Sequence, residues 1–177
     1  MLVDSTLSDN AADLLAGGWY LRGESLSIWN STVAFNHANA DTAYGAVTFL
    51  GADPTSPLDI RSSIVANNSV GPNQTPGDIF IFTGSGVLSG VDDLVIASNV
   101  SDPNIIVSTE DPMLGPLQSN GGPTKTRLLQ SGSPALNLGS NFGGPNDQRG
   151  PGYPRLTGAT ADIGAVQFDE IFPDGFD

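Results

Sequence analysis

Residues 31–36 read STVAFN, and this strand-like phrase returns three more times in the 177-residue chain. Residues 5–10 read STLSDN, residues 63–68 read SIVANN, and residues 94–99 read LVIASN. The closing asparagines are 26, 32 and 31 residues apart, at Asn10, Asn36, Asn68 and Asn99. A short β-like phrase that recurs at such a period is typical of a solenoid, in which each repeat packs on its neighbours.

Two further strand patterns accompany each phrase. One follows a glycine, in residues 18–21, 45–50 and 77–82, and the other alternates apolar with polar residues, in residues 26–28, 58–60 and 87–88. Period-two alternation and β-branched residues predict strands. Three short strands cannot form a dry core alone, but stacked units can hydrogen-bond to one another about 4.8 Å apart. We therefore predict an all-β parallel β-helix, with its coils in residues 1–110 and a variable loop after each asparagine.

The closing asparagines are expected to have a structural role. Asparagine adopts the left-handed backbone conformation at low cost and hydrogen-bonds locally, which suits a bend. Stacked asparagine amides form side-chain ladders. We expect Asn10, Asn36, Asn68 and Asn99 to lie above one another at one bend and to form such a ladder.

The charge balance excludes some classes of partner. Six lysines and arginines face 19 aspartates and glutamates, a formal net charge of -13. Nucleic-acid binding requires cations that displace phosphate counterions, so no nucleic-acid partner is predicted. Cysteine is absent, which excludes disulfides, thiol catalysis and cysteine-based zinc sites. No apolar run reaches the length of a membrane span, so no transmembrane segment is predicted.

The start of the chain resembles the interior of a repeat. Residues 1–20 contain neither a basic region nor a long apolar stretch, so they do not form a signal peptide. We expect Met1 to begin an N-terminally truncated piece of a longer protein, with further coils and the signal peptide upstream.

From residue 111 onward the chain is rich in glycine and proline. The motifs are DPMLGPL (111–117), NGGPT (120–124), GSPA (132–135), DQRG (147–150) and DIGA (162–165). Short strands between rigid turns favour a cap, which a solenoid needs to shield its last coil. In order and spacing, these motifs resemble the choice-of-anchor Q domain family over about 55 residues. The upstream coils are more distantly similar to polymorphic outer-membrane repeats.

The resemblance implies a fold and a location, and it implies no reaction. Members of the family are right-handed, single-stranded parallel β-helices with a pectin-lyase-like fold, secreted by or attached to Gram-negative bacteria. Residues 111–168 would then form the last coils and the cap, and residues 169–177 a sorting or anchoring tail. The tail residues concerned are Ile171, Phe172, Gly175 and Phe176. Partners implied are surface glycans and components of the envelope or of secretion.

Within residues 111–168, three charged residues are expected to hold the cap together: Asp147, Arg149 and Asp162. The guanidinium group of Arg149 presents a fork of donors, which suits either the Asp162 carboxylate or exposed carbonyls of the last coil.

Asp92 and Asp93 are the one adjacent acidic pair considered for catalysis. Two carboxylates can divide acid and base roles between them. However, neighbours on a strand point to opposite faces, which favours exposed turn residues instead. His37 can be a general base or a solvated loop residue, and the latter is favoured.

Two ligand sites remain open alternatives at this stage. Trp19, Tyr20 and Trp29 can form an aromatic platform for sugars or cover the first coils, and we favour the covering role. Loop carboxylates suit Ca²⁺, but no EF-hand loop or Gly-Gly-x-Gly-x-Asp array is present, so no metal site is predicted. The carboxylates concerned are Asp41, Asp53, Asp102, Glu110 and Asp111.

The leading functional hypothesis is a non-catalytic, secreted or surface-displayed module for adhesion or envelope architecture. The alternative is a fragment of a carbohydrate-active β-helix enzyme, a polysaccharide lyase or glycoside hydrolase that acts on acidic glycans. Because fold does not determine function, the two must be separated by the site.

Overall fold

The computed structural model describes residues 1–156 and 159–169. In this part of the chain it contains sixteen short strands and no helix. The strands wind into a β-solenoid of about three turns, and the prediction of an all-β parallel β-helix is confirmed.

The strands follow one another in four groups, one for each turn and a last, partial one. The first turn contains β1 (Leu2–Val3), β2 (Thr6–Ser8), β3 (Ala11–Ala12) and β4 (Trp19–Gly23). The second contains β5 (Leu26–Trp29), β6 (Thr32–Ala34), β7 (His37–Ala38) and β8 (Val47–Gly51). The third contains β9 (Pro57–Arg61), β10 (Ile64–Ala66), β11 (Ser69–Val70), β12 (Thr75–Pro76) and β13 (Ile79–Ile81). The last contains β14 (Val87–Val91), β15 (Asp93–Val95) and β16 (Ile106–Ser108).

Equivalent strands pair between turns and form four sheets. The first sheet has the order β1-β5-β9-β14, the second β16-β15-β10-β6-β2, the third β12-β11-β7-β3 and the fourth β13-β8-β4. The third sheet corrects the prediction of three strands per turn, because β3, β7 and β11 follow the asparagines where loops were expected. All pairs between turns are parallel, while β12 folds back antiparallel on β11.

The inner core follows from this register. Each inward side chain packs on its equivalent in the next turn, as Leu26 does on Leu58 and Leu58 does on Leu88. The pairing of β6, β10 and β15 likewise stacks valines in the second sheet. Because each turn buries its apolar side chains against the next, the core extends along the axis instead of filling a sphere.

A short stretch after β15 covers the end of the last turn. Ser98 forms a parallel bridge with Ile79 of the fourth sheet, and Val100 and Ile106 pack against the inner core. The backbone carbonyl of Ile105 accepts a hydrogen bond from the amide of Asp93 at 2.9 Å. The axial end is therefore covered by residues 97–108.

The C-terminal segment, defined as the described residues from 111 to 169, lies elsewhere than predicted. It runs along the side of the solenoid instead of capping its last coil. Ser140 donates to the Asp92 carboxylate at 2.8 Å, the amide of Phe142 to Asn30 at 2.7 Å, and the amide of Gly144 to Asp4 at 3.3 Å. Residues 140–144 thus cross from the last turn to the first, and we call them the axial strap.

The C-terminal segment also covers the outer face of the second sheet. Ile64 and Leu94 point outward there and form a second hydrophobic core with Leu129, Ala135 and Ile163. This explains why β6, β10 and β15 are buried at every residue, whereas β5 and β9 alternate.

Glycine is required at one point of this contact. Gly164 has a φ of +110°, and a Cβ built there would lie 2.9 Å from the Ile64 side chain and from the Thr32 hydroxyl. Its amide donates to the Ser62 carbonyl at 2.9 Å, so the two backbones approach too closely for a larger residue.

Three of the four predicted asparagines form a continuous side-chain ladder. The amide of Asn10 donates to Asn36 Oδ1 at 2.8 Å, and that of Asn36 donates to Asn68 Oδ1 at 2.9 Å. Asn68 in turn donates to Asp78 Oδ1 at 2.8 Å. The same oxygens also accept the backbone amides of these asparagines. Since each corner leaves the sheet, these side chains satisfy amides that strand pairing does not reach.

The prediction that Asn99 joins the ladder is wrong, because Asn99 lies one residue beyond the ladder position. Ile64 pairs with Leu94 and Val65 with Val95, which places residue 98 opposite Asn68. Asn99 lies one residue further on, is exposed, and hydrogen-bonds the backbone of Ile81.

The left-handed conformation is also one residue away from where it was expected. It belongs to the residue before each ladder asparagine: Asp9 (φ 59°), Phe35 (φ 60°) and Asn67 (φ 59°).

A second row of side chains, which the sequence did not reveal, lines the preceding corner. The Ser31 hydroxyl oxygen accepts the amide of Ser5 at 3.3 Å, and that of Ser63 accepts the amide of Ser31 at 3.1 Å. Asp93 Oδ1 ends the row by accepting the amide of Ser63 at 2.9 Å, and we call this set of side chains the serine row. Both rows therefore end on a buried aspartate.

The Asn36→Ala substitution tests the ladder. It removes a buried rung and leaves the amide of Asn10 and the carbonyl of Leu7 without their partner, so the free energy of unfolding should fall by about 2–3 kcal/mol. Asn73→Ala, at an exposed asparagine, is the control and should change it by less than about 0.5 kcal/mol. Equal effects in chemical denaturation would contradict the ladder's role.

Candidate functional site

The acidic pair Asp92 and Asp93 does not form a shared site. The carboxylate of Asp92 accepts the Ser140 hydroxyl of the axial strap at 2.8 Å, while Asp93 closes the serine row inside the corner. The expectation that both are exposed turn residues is wrong for Asp93, whose exposed fraction is 0%. The positive φ of Asp92, 58°, sends the two side chains in different directions.

The environment of Asp93 favours its neutral form. In the described part of the chain its Oδ2 is buried without a hydrogen-bond partner. Burial raises the pKa of Asp93 well above its ordinary value, the charges of Asp92 and Asp59 raise it further, and the Ser63 amide opposes them. A carboxyl group without solvent access cannot contact a substrate, so this perturbed pKa belongs to the corner and not to catalysis.

Asp78, which closes the asparagine ladder, differs in its hydrogen bonds. Burial raises its pKa too, but Oδ1 accepts two donors of Asn68 and Oδ2 accepts the Ala97 amide at 2.8 Å. Both carboxylate oxygens of Asp78 therefore accept hydrogen bonds, whereas only Oδ1 of Asp93 does so.

Substitution by asparagine should change the free energy of unfolding in opposite directions at Asp93 and Asp78. Asp93→Asn mimics the neutral acid and should raise the free energy of unfolding by about 1–3 kcal/mol near pH 8. The raised pKa of Asp93 in the folded protein contributes stability below the ordinary carboxyl pKa, and that contribution is lost as the pH rises through the pKa of the folded state. The stability gained by Asp93→Asn should therefore vanish near pH 4, where the unaltered side chain is neutral as well.

Asp78→Asn should instead lower the free energy of unfolding by about 1–3 kcal/mol near pH 8, because its NH₂ group would face an N–H donor. Denaturation of the three proteins across the pH range is the measurement. A loss of stability in Asp93→Asn at pH 8 would show that Asp93 is charged in the fold.

Arg149 and Asp147 form a buried ion pair within the C-terminal segment. Arg149 Nη2 lies 2.7 Å from Asp147 Oδ2 and 2.9 Å from the Gln167 carbonyl, and Asp169 also accepts from this guanidinium. The Tyr153 ring lies against its face, 4.2 Å from Cζ.

The predicted pairing of Arg149 with Asp162 or with the last coil is wrong. Asp162 accepts the backbone amides of Asn137 at 2.7 Å and Phe168 at 2.6 Å. Burial raises the pKa of Asp162. All these contacts hold the C-terminal segment together, away from the end of the last coil.

Two further arginines, which sequence reasoning missed, bind this segment to the first turn. Arg127 donates to both oxygens of Asp9 at 2.8 and 2.9 Å, and Arg155 to Asp4 at 2.7 Å. The side chain of Arg155 is fully buried, and it also donates to the carbonyls of Gly164 and Ala165. Asp4 and Asp9 are the positive-φ corner residues on either side of β2. No local motif marks these contacts, which span more than a hundred residues.

The Arg149→Ala substitution should leave the Asp147 carboxylate buried without its cation. We expect a loss of about 3–5 kcal/mol in the free energy of unfolding and a lower melting temperature. Arg22→Ala, at an exposed arginine, is the control and should change stability by less than about 0.5 kcal/mol. An unchanged melting temperature in Arg149→Ala would refute the structural role of this arginine.

The aromatic residues considered as a sugar platform are separated. Trp19 packs against the inner core, whereas Tyr20 is 38% exposed on the fourth sheet. Trp29 lies on the first sheet, where its indole donates to Asp59 at 2.8 Å. These three residues therefore do not present one common surface.

The remaining predicted candidates are placed as follows. His37 Nδ1 lies 2.8 Å from the Ser69 hydroxyl on the third sheet. In the described residues, the carboxylates considered for Ca²⁺ do not form a group of three that could hold a metal ion. The tail residues lie outside the described residues and remain a prediction: Ile171, Phe172, Gly175 and Phe176.

A groove of about 630 Å³ lies between the second and third turns on one side and the C-terminal segment on the other. One wall contains Phe35, Asn67 and Gln74, and the other contains Asp111, Met113 and Gln130. From the sequence, Asp111 was assigned to a turn or to calcium binding. The groove was not identified, because its walls come from parts of the chain that meet only when the C-terminal segment packs on the solenoid.

Comparison with protein-family models, curated proteins and solved structures finds no match. The chain is therefore characterised by its own residues and geometry. Among the described residues, no helix is long and apolar enough to cross a membrane.

Proposed function

We propose that this protein is a non-catalytic module displayed outside a Gram-negative cell, where it supports adhesion or envelope architecture. The β-helix is the rigid support, and residues 171–177 are the address for export or attachment. The resemblance to the choice-of-anchor Q family and the net charge of -13, with a single lysine, support an extracellular location.

The observation that carries the proposal is the closure of the solenoid by its own C-terminal segment. In a parallel β-helix, the strand hydrogen bonds run along the axis, so an axial pull separates turn from turn. Here the axial strap contacts every turn, and Arg127 and Arg155 attach the segment to the first one. Such a reinforced rod suits a load-transmitting support.

The use of the buried carboxylates also supports a non-catalytic role. Asp78, Asp93, Asp147 and Asp162 are each buried and each accept backbone amide donors. Groups used in this way stabilise corners and turns and have no access to a substrate. A lyase or hydrolase instead requires an accessible acid or base near the bond it breaks.

Two assays test the proposal. The purified protein, incubated with pectin, alginate and other acidic glycans with and without Ca²⁺, should release neither unsaturated products nor reducing ends. Antibodies should label intact cells of the producing bacterium, and deletion of residues 171–177 should abolish that labelling. Product release would overturn the non-catalytic assignment, and normal display of the deletion variant would refute the role of the tail.

A further inference from the structure

The groove between the second and third turns and the C-terminal segment has features of a binding site. Its volume, about 630 Å³, lies within the range of roughly 300–1,000 Å³ found for small-molecule sites. Its floor includes Asp78, whose oxygens are already used by Asn68 and Ala97. The Asn67 amide donates to Asp111 Oδ1 at 3.2 Å and so joins the two walls. The groups available to a ligand are therefore the remaining side chains of the walls.

Four of the ten non-glycine residues with a positive φ in the described part of the chain line these walls. Phe35, Asn67, Gln74 and Met113 all have a positive φ, of 60°, 59°, 51° and 51°. Phe35 and Asn67 owe this conformation to the corner that Asp9 also occupies, so it is a property of the coil. Unlike the equivalent corner residues Asp9 and Asn67, Phe35 carries an aromatic ring, and this ring stacks on the Arg127 guanidinium group.

The walls combine apolar faces with free amides. Phe35 is 37% exposed and Met113 40% exposed. In the described part of the chain, the exposed side-chain amides of Gln74 and Gln130 have no hydrogen-bond partner. An aromatic face beside amides, each with donors and an acceptor, matches a sugar ring with its C–H face and neighbouring hydroxyl groups.

The charges in the groove disfavour an anionic ligand. Asp111 contributes a carboxylate to one wall. The nearby Arg127 lies against the Phe35 ring, with Cζ 3.9 Å from its centroid, and its donors are used by Ser8, Asp9 and Gly115. An acidic sugar would meet a carboxylate with no free cation to offset it.

We propose that this groove binds a neutral oligosaccharide, with a sugar ring stacked on Phe35 and hydroxyl groups bound by Gln74 and Gln130. This rests on the proposed function and names the class of ligand through which the module adheres. Uronic-acid polymers, the substrates of the enzyme alternative, are disfavoured in this groove.

Binding of the full chain to immobilised oligosaccharides is the test. The neutral panel contains cello-, xylo-, manno- and chito-oligosaccharides, and the acidic panel contains oligogalacturonates and oligoalginates. At least one neutral series should bind, and titration calorimetry should show its affinity falling at least about tenfold in Phe35→Asn and in Gln130→Ala.

Phe35→Asn is chosen because asparagine occupies the equivalent corner at residue 67 and adopts a positive φ readily. Because Phe35→Asn also removes the ring that stacks on Arg127, its melting temperature should fall. Gln130→Ala, at an exposed amide with no partner among the described residues, is the variant that should lose binding at an unchanged melting temperature. Tyr20→Asn, at an aromatic residue of matched exposure, 38%, on the fourth sheet, is the control and should bind as the unaltered chain does.

Each contrary result points to a definite conclusion. Retention of no neutral series, preference for the acidic panel, or retention only of basic peptides in the same array would overturn the groove assignment. These results would leave the surface-display test unaffected. Conversely, neutral-glycan binding accompanied by product release would uphold the groove and overturn the non-catalytic proposal.

Discussion

The stacking of turns depends on corner amides that find a partner in the next turn. At each corner the chain leaves one sheet before it enters another, and the amide there lies beyond strand pairing. At the two corners that flank the second sheet, the acceptors are Ser31 and Ser63 before it and Asn36 and Asn68 after it. A shift of one residue would bury both the amides and the side chains unpaired, at about 1–3 kcal/mol each, so the rows determine the register.

Each of the two rows ends on an aspartate. Asp78 has two acceptor oxygens and so connects the ladder to the Ala97 amide of the axial end. Asp93 replaces a serine hydroxyl with a carboxyl group that has a raised pKa. Both remain inside the fold, which is why strongly perturbed acids here mark structure and not a reaction.

The strand pattern and the asparagine ladder could be predicted because both repeat locally along the chain. The side location of the C-terminal segment could not, since Arg127 and Arg155 find their partners across 118 and 151 residues. One signal was available: the runs Ile64-Val65-Ala66 and Leu94-Val95-Ile96 do not alternate, as expected for strands covered on both faces. The groove could not be predicted, because its walls come from distant parts of the chain that meet only in the folded protein.

Arg127 connects the stability of the fold to the shape of the groove. Its guanidinium group is anchored to Asp9 of the first turn and stacks on Phe35, in one wall. It also donates at 2.8 Å to the carbonyl of Gly115, next to the Met113 wall. Because this rigid planar group contacts both sides at once, the separation of the walls is set by the same contact that fastens the C-terminal segment. In this chain, the contacts that close the solenoid and those that shape this groove are therefore shared.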